Sequence, residues 1–323
     1  MTAANNTITL RNVLRSVFAA TVGTWLLCGE PSIQPLASAS PQTSDAWLEA
    51  KPACVFPLAS QAPPASREAF MTALSAGLQH LAVTPAGANL LSGVAIAYPA
   101  MKSLRIDLSD CVEDDAHKPP KVNWHFTPQP GVRVQSLEIA ARPLIIKGAK
   151  LQYELTAADA QLKMAEDRAN HPLLMLMGAT DGHFSVTAGH DDVQALCLAA
   201  AKQFARKYGF SVKALSLEMT TPTPRTLDAN VVVTLDGAMG GKLYFTGRFS
   251  VTPNLNATAS KLTCRGDGPG GMVISSLLSP GLMFYDGKTK PLVSFPFDGM
   301  KLRDVKIHVD GDLHIDADFG EKS

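Results

Sequence analysis

The amino-acid sequence predicts an α+β fold: a curved antiparallel sheet wrapped around one long helix, with a second, short apolar helix near the C-terminus. Three observations predict it. Residues 191–209 (DDVQALCLAAAKQFARKYG) place Val193, Leu196, Cys197, Ala200, Phe204 and Tyr208 at three- and four-residue steps, so one helical face is apolar. The chain on both sides of this segment alternates apolar with polar residues, as strands with one covered face do. Residues 272–285 (MVISSLLSPGLMFY) form a second apolar run with a Pro-Gly interruption.

The long helix carries its own punctuation. Asp191 and Asp192 stand where free N–H groups favour acid, and Arg206 and Lys207 suit the carbonyl end. Gly209 supplies the left-handed residue that stops a helix.

Before it, residues 40–65 are rich in Pro, Ala and Ser and read as a linker or irregular arm. Residues 66–81 (SREAFMTALSAGLQHL) form a helix with Ser66 as N-cap and Phe70, Leu74, Leu78 and Leu81 on one face. Residues 94–98 and 104–108 are strands. Residues 110–120 are a polar loop whose acids do not match a calcium-binding pattern. From Val132 a run of strands begins, in which Leu151, Tyr153 and Leu155 face one way and Gln152 and Glu154 the other. Pro143 marks an edge or a strand start. Residues 171–178 (HPLLMLMG) are strongly apolar; their methionines suit plain core or an adaptable apolar surface. Residues 184–186 make a short strand.

After the helix comes a meander. Residues 210–219 alternate but slip phase between Ala214 and Leu215, which predicts a bulge or strong twist. Residues 220–225 (TTPTPR) break the chain. In 229–235 and 243–251 the odd positions are apolar, and 255–264 form a further strand. Residues 292–297 are extended. The last stretch, LRDVKIHVDGDLHIDADF, is a closing hairpin. A two-residue turn would mix polar and apolar faces. A three-residue loop, Asp310-Gly311-Asp312, instead pairs Val309 with Leu313, Ile307 with Ile315, Val305 with Ala317, His308 with His314 and Lys306 with Asp316. A one-residue slip flips every side chain, so this register is the expected one.

Composition narrows the function. The 323 residues suffice for one large or two medium domains, and a chain of this size buries about 75% of its unfolded surface. Twenty-nine basic residues balance twenty-nine acidic ones, only 18% of residues are charged, and there is no basic run. Nucleic acid, whose phosphates demand positive charge, is therefore excluded as a partner.

The first 39 residues read as an export signal: Arg11 and Arg15, then the apolar run 17–28 (VFAATVGTWLLC), then Ala37-Ser38-Ala39 as cleavage site. The run is short for a span, though an uncleaved anchor or a plastid-type segment would share its features. Leu27 is bulky where a lipoprotein signal at Cys28 needs a small residue. The expected location is the periplasm or an equivalent extracytoplasmic envelope compartment, with a soluble mature chain.

Beyond Cys28 there remain Cys54, Cys111, Cys197 and Cys264, an even number compatible with two disulfides in an exported chain. The favoured pairing is Cys54 with Cys111 and Cys197 with Cys264; buried free thiols are the other reading of the second pair. No CxxC spacing exists, so zinc and thioredoxin chemistry have no support.

Gly266–Gly271 spells G-x-G-x-x-G between a strand and a helix, with Asp286 at a tempting distance. Pro269 removes an N–H from that loop and the flanking strands alternate, so the glycines make a sharp turn rather than a dinucleotide site. His308, Asp310, Asp312, His314, Asp316 and Asp318 alternate along the hairpin. They could hold a metal, but a solvated hairpin needs the same pattern. His80, His117, His125, His171, His183 and His190 are scattered, no G-x-S-x-G elbow is present, and no residue is assigned a catalytic role. Arg265-Gly266-Asp267 is a chance tripeptide, and Asn256-Ala257-Thr258 a sequon that matters only in a eukaryotic secretory route.

The order of these segments carries a resemblance. Strands at 132–164, then FSVTAGHDDVQALCLAAAKQF, a meander, MVISSLLSPGLMFY and PLVSFPFDGMKLRDVKIHVDGDLHIDA resemble the LmeA-like phospholipid-binding proteins, exported proteins related in shape to tubular lipid-binding (TULIP-like) domains. The resemblance covers residues 132–320, and its most specific part is the end: short helix, L-x-x-x-P-F, apolar strand, Asp-Gly, apolar strand. It implies a curved sheet holding a helix, with a hydrophobic groove that takes an acyl chain. Residues 40–131, the expected N-terminal linker, helix and extension, have no counterpart in it. No ligand-contacting residue of the family carries over.

The apolar faces of the meander and the two helices supply the candidate groove: Leu196, Phe204, Phe245, Phe249, Leu277 and Leu282, for each of which ordinary core is the more common role. The sequence thus points to a non-enzymatic, cofactor-free carrier or binder of phospholipid or another acyl-chain ligand, with peripheral membrane contact. A structural envelope protein that binds another protein is the alternative, and a metal-dependent hydrolase the third.

Overall fold

The long pair β5 (Gln129–Ile146) and β6 (Ala149–Glu166) forms the spine of the first sheet, and its pattern explains why. Along β6 Leu151, Tyr153 and Leu155 are buried while Gln152 and Glu154 face away, as the alternation predicts. A computed structural model describes residues 55–60, 62–113, 123, 127–207, 209–237, 240–291 and 302–321. The expected signal segment, Cys28, Cys54, Tyr208 and the stretch 292–297 lie outside the described residues.

More than half of the described residues are strand, arranged in two open, curved sheets. The first sheet has ten strands. Its main path runs β14 (Leu302–Val309), β15 (Leu313–Phe319), β8 (Asp181–Ala188), β6, β5, β3 (Ala100–Asp107), β2 (Leu91–Ala97). The far end of β6 pairs with β7 (Pro172–Gly178), which pairs with β1 (Val55–Pro57); β4 (Val112–Glu113) adds to β5. The second sheet has five strands, ordered β13 (Thr289–Pro291), β12 (Asn256–Asp267), β11 (Gly241–Val251), β10 (Thr226–Leu235), β9 (Val212–Thr223).

Several expectations need correction. The first sheet is mixed, because β3 and β4 run parallel to β5. Strands from both sides of residue 131 therefore share one sheet. Pro143 sits inside β5 at a register shift between Ala141 and Leu144, a bulge that spares the ladder a missing N–H. The 220–225 break is narrower than expected, since β9 runs to Thr223.

Other expectations hold. The closing hairpin has the three-residue loop, with Val309 opposite Leu313, Ile307 opposite Ile315 and His308 opposite His314. β9 carries the expected irregularity, placed between Val212 and Ala214, just before the Ala214–Leu215 step where the alternation slips. Of the two readings of the 171–178 methionines, plain core holds: β7 is buried along its whole length, with Met175 and Met177 in a small cluster with Val55, Ala165 and Leu173.

The two sheets join where β14 meets the β9–β10 turn. Ile307 donates its N–H to Pro224 O (2.7 Å) and Val309 to Thr221 Oγ1 (3.2 Å), while Arg225 pairs with Asp304 at 2.5 Å.

Three helices complete the described fold. In α1 (Arg67–Gln79) the Ser66 hydroxyl accepts the Ala69 N–H at 3.2 Å, and Phe70, Leu74 and Leu78 are buried. In α2 (His190–Lys207) Val193, Cys197, Ala200, Ala201 and Ala205 are buried. It ends in a Schellman motif: Gly209, at φ +76°, donates to Arg206 O and Phe210 donates to Ala205 O.

The third helix, α3, spans Gly268–Tyr285 and is as long as α2, 18 residues, so there is no single long helix. It starts four residues before Met272, with Asp267 as N-cap and Pro269 in the first turn, and runs through Pro280. The glycine-rich loop is thus a helix start seated tightly on the sheet. A Cβ on Gly266 would lie 1.9 Å from Gly271 O, and one on Gly271 would lie 2.5 Å from Lys242 O.

Candidate functional site

The apolar face of the second sheet is built from cross-strand rows. One row runs Leu217, Val231, Phe245, Cys264 across β9, β10, β11 and β12. Leu217 and Val231 are buried, whereas Phe245 and Cys264 are only half-buried. Cover therefore thins from the β9 side towards β12.

A helix packs at each end of this row. The Gln194 side-chain oxygen of α2 accepts the Leu217 N–H at 3.1 Å, and Asp192 Oδ1 accepts the Lys150 N–H at 2.8 Å. Thus α2 lies along the free edge of β9 and reaches the first sheet at β6. At the opposite side α3 and the turn after it serve the edge of β12. Ser279 Oγ reaches Cys264 O (3.4 Å), Gly287 donates to Ala259 O (2.8 Å), and Asp286 Oδ1 accepts the Leu262 N–H (2.9 Å). Unpaired strand edges invite foreign strands, and here each side is partly covered: β13 pairs with the start of β12 and α3 serves the rest of that strand, while α2 lies along β9. Phe245 and Cys264, opposed on β11 and β12, and Leu278 of α3 are each packed against the core yet only half-buried.

The six residues expected in the groove separate into three groups. Leu196, Phe204 and Phe245 are half-buried, with Leu196 and Phe245 packed against the same core. Phe249 and Leu282 are buried. Leu277 is 64% exposed and points away from the sheet, because Ile274, Leu278 and Leu282 take the inward stripe of α3. Leu278 and Cys264, not among the six, are likewise half-buried and packed against this core. The missed signal is that strand parity places Cys264 on the face of Phe245.

Cys111, Cys197 and Cys264 are free thiols. The expected Cys197–Cys264 bridge does not form. Cys197 sits on α2 beside β9, and Cys264 on β12 lies three strand spacings from β9, about 14 Å, whereas a disulfide needs Cα atoms within about 7 Å. Cys54, the expected partner of Cys111, lies outside the described residues. Burial pushes Cys197 and Cys264 up to about 12 each. Burial, with the carboxylates of Asp107 and Asp110, pushes Cys111 up to about 11. All three are protonated at neutral pH and poor nucleophiles.

The histidines of the hairpin, and His183 on the neighbouring β8, engage acids rather than converge on an empty centre. His314 Nε2 lies 3.0 Å from Asp310 Oδ1, His308 Nε2 lies 3.4 Å from Asp310 Oδ2, and His183 Nδ1 lies 2.8 Å from Asp318. Among the described residues no group of three or more His, Cys, Asp or Glu side chains is placed to hold a metal. No described helix is long and apolar enough to cross a membrane. No protein-family model, no curated protein and no solved structure matches the chain, so the resemblance to LmeA-like proteins rests on the order of its segments.

Proposed function

We propose that the chain is a non-enzymatic binder or carrier of an acyl-chain ligand such as a phospholipid, acting in the periplasm or an equivalent compartment outside the cytoplasm. The observation that carries this reading is that Phe245 and Cys264, opposed on β11 and β12, and Leu278 of α3 stay half-buried, whereas Leu217 and Val231 of the same cross-strand row are buried. The seating of α2 against β6 of one sheet and β9 of the other supports the TULIP-like arrangement, in which a sheet wraps a helix. Such a surface needs no catalytic group. Each buried methylene contributes about 0.8 kcal/mol, so ten contribute roughly 8 kcal/mol. That gain is comparable with the 4–15 kcal/mol or so that association costs, which favours reversible binding over a permanent cofactor.

Native mass spectrometry after mild purification tests the reading. Co-purifying lipid, or uptake of a fluorescent fatty acid that Phe245→Arg abolishes, is the expected result. A clean apo mass together with no uptake at any ligand concentration would overturn it.

A further inference from the structure

The outward face of α3 is a surface that folding alone does not require. Ten large apolar residues of the described chain are exposed, and six of them are on this helix: Met272, Val273, Leu277, Met283, Phe284 and Tyr285. Their exposure reaches 75% at Met283, 64% at Leu277 and 62% at Phe284. Isolated exposed apolar residues are ordinary, but a contiguous face of them marks a contact surface.

Three features select the contact. First, no charged side chain occurs anywhere between Gly268 and Tyr285. Second, each serine hydroxyl of α3 bonds a carbonyl of its own helix, with Ser279 also within reach of Cys264 O on the sheet side. Ser275 donates to Met272 O (3.1 Å), Ser276 to Val273 O (2.7 Å) and Ser279 to Ser275 O (2.6 Å). Polar groups satisfied within their own helix are what a hydrocarbon environment demands, and they offer a protein partner little to recognise. Third, the apolar face ends in aromatic side chains and a cation. Phe284 and Tyr285 meet edge to face at 5.2 Å, and Lys288 Nζ lies 2.9 Å from the Phe284 ring centroid. Aromatic rings with an adjacent lysine are the pairing that settles at the boundary between acyl chains and headgroups. The nearby Asp286 turns one carboxylate oxygen to the Leu262 N–H of β12.

We infer that the outward face of α3 docks on an anionic lipid bilayer, with Met272, Leu277, Met283 and Phe284 in the outer acyl region and Lys288 at the phosphate level. The helix, about 27 Å long at 1.5 Å per residue, lies in the plane of the interface. Its inward stripe stays on the sheet. Docking needs no cargo in the Phe245 patch, so it stands independently of the carrier reading.

Flotation of the purified chain with vesicles tests this, using phosphatidylcholine alone and phosphatidylcholine mixed with phosphatidylglycerol. The parent is expected to float with the mixed vesicles and more weakly with the neutral ones. The double variant Leu277→Ser/Phe284→Ser should lose about 100-fold in partition, roughly tenfold for each apolar side chain, with an unchanged melting temperature. Lys288→Glu should erase the preference for anionic vesicles. A Phe284→Trp variant should shift its emission to the blue on binding and be quenched by brominated lipid.

A parent that floats with neither vesicle overturns the inference, and so does a double variant that floats as well as the parent. A concentration-dependent dimer abolished by the same double substitution would assign the face to a second copy and also overturn it. Fatty-acid uptake measured without vesicles reports on the Phe245 patch alone, so failure of one reading is distinguishable from failure of the other.

Discussion

The helices α2 and α3 have the same length and the same structural task, yet their outward faces differ completely. Each packs on one side of the second sheet, α2 at β9 and α3 at β12, and each does so with few polar contacts: Gln194 to Leu217 for α2, Ser279 and the following Asp286 to β12 for α3. Away from the sheet, α2 exposes Asp191, Lys202, Gln203 and Arg206, as a helix facing water does. In the same position α3 exposes Met272, Val273, Leu277, Met283 and Phe284. Packing on the sheet therefore fixes only the inward stripe of a helix. What the outward face carries is free to serve another purpose.

The sharpest way to break this comparison is to place one charge on each helix. Val193 is fully buried in α2, so Val193→Asp leaves a charge with no partner and should cost about 4 kcal/mol or more, a large share of the 5–15 kcal/mol or so that holds a domain folded. Chemical denaturation should show a lost or strongly shifted transition. Leu277→Asp in α3 should change stability by no more than about 0.5 kcal/mol, yet abolish flotation with vesicles. Equal destabilisation by both substitutions would mean that the α3 face is core after all.

Glycines at the helix ends give a smaller contrast. Gly271 lets α3 approach β11 so closely that a methyl group would meet Lys242 O at 2.5 Å, and Gly271→Ala should cost about 1–3 kcal/mol through overpacking. At the end of α2, Gly209 has open space around it and only its positive φ to defend. Gly209→Ala should cost about 1 kcal/mol. Thermal melts of the two variants rank them, and a reversed order would show that helix termination, not close packing, limits stability.

Much of this architecture was legible because it is local. The register of the closing hairpin follows from matching Val309, Ile307 and Val305 to Leu313, Ile315 and Ala317 across a three-residue loop, and strand parity does the rest. The bulge near Ala214 and the Gly209 stop follow from single residues. What the sequence concealed is non-local. Nothing in residues 100–107 says that they pair in parallel with β5, since alternation gives a face and not a partner. Cys197 and Cys264 each occupy a reasonable position for a bridge, and only the strand order separates them. Leu277 was misplaced for a related reason. A helix without charge has no polar face to mark which side is out, so periodicity cannot orient it.

The smallest expected effect lies on the polar face of the second sheet, which meets water as the outer face of α2 does. Asp228 and Arg248 are directly opposed on β10 and β11 and joined by two 2.6 Å hydrogen bonds. The Arg248 guanidinium, helped by Lys261, holds the Asp228 carboxyl below its usual value. The native state thus binds this proton less readily than the unfolded chain does. The stabilisation is complete above the unfolded carboxylate value of about 3.9 and disappears as the pH falls through the lower native value. Urea titrations between about pH 5 and pH 2 should show stability falling with acid, and Asp228→Asn should flatten part of that slope. The effect should be modest because the pair is partly solvated, and it should shrink with added salt. Identical slopes in parent and variant would mean that the pair contributes nothing. Flotation at neutral pH should be the same for both proteins, because Asp228 lies two strands from β12, against which α3 packs.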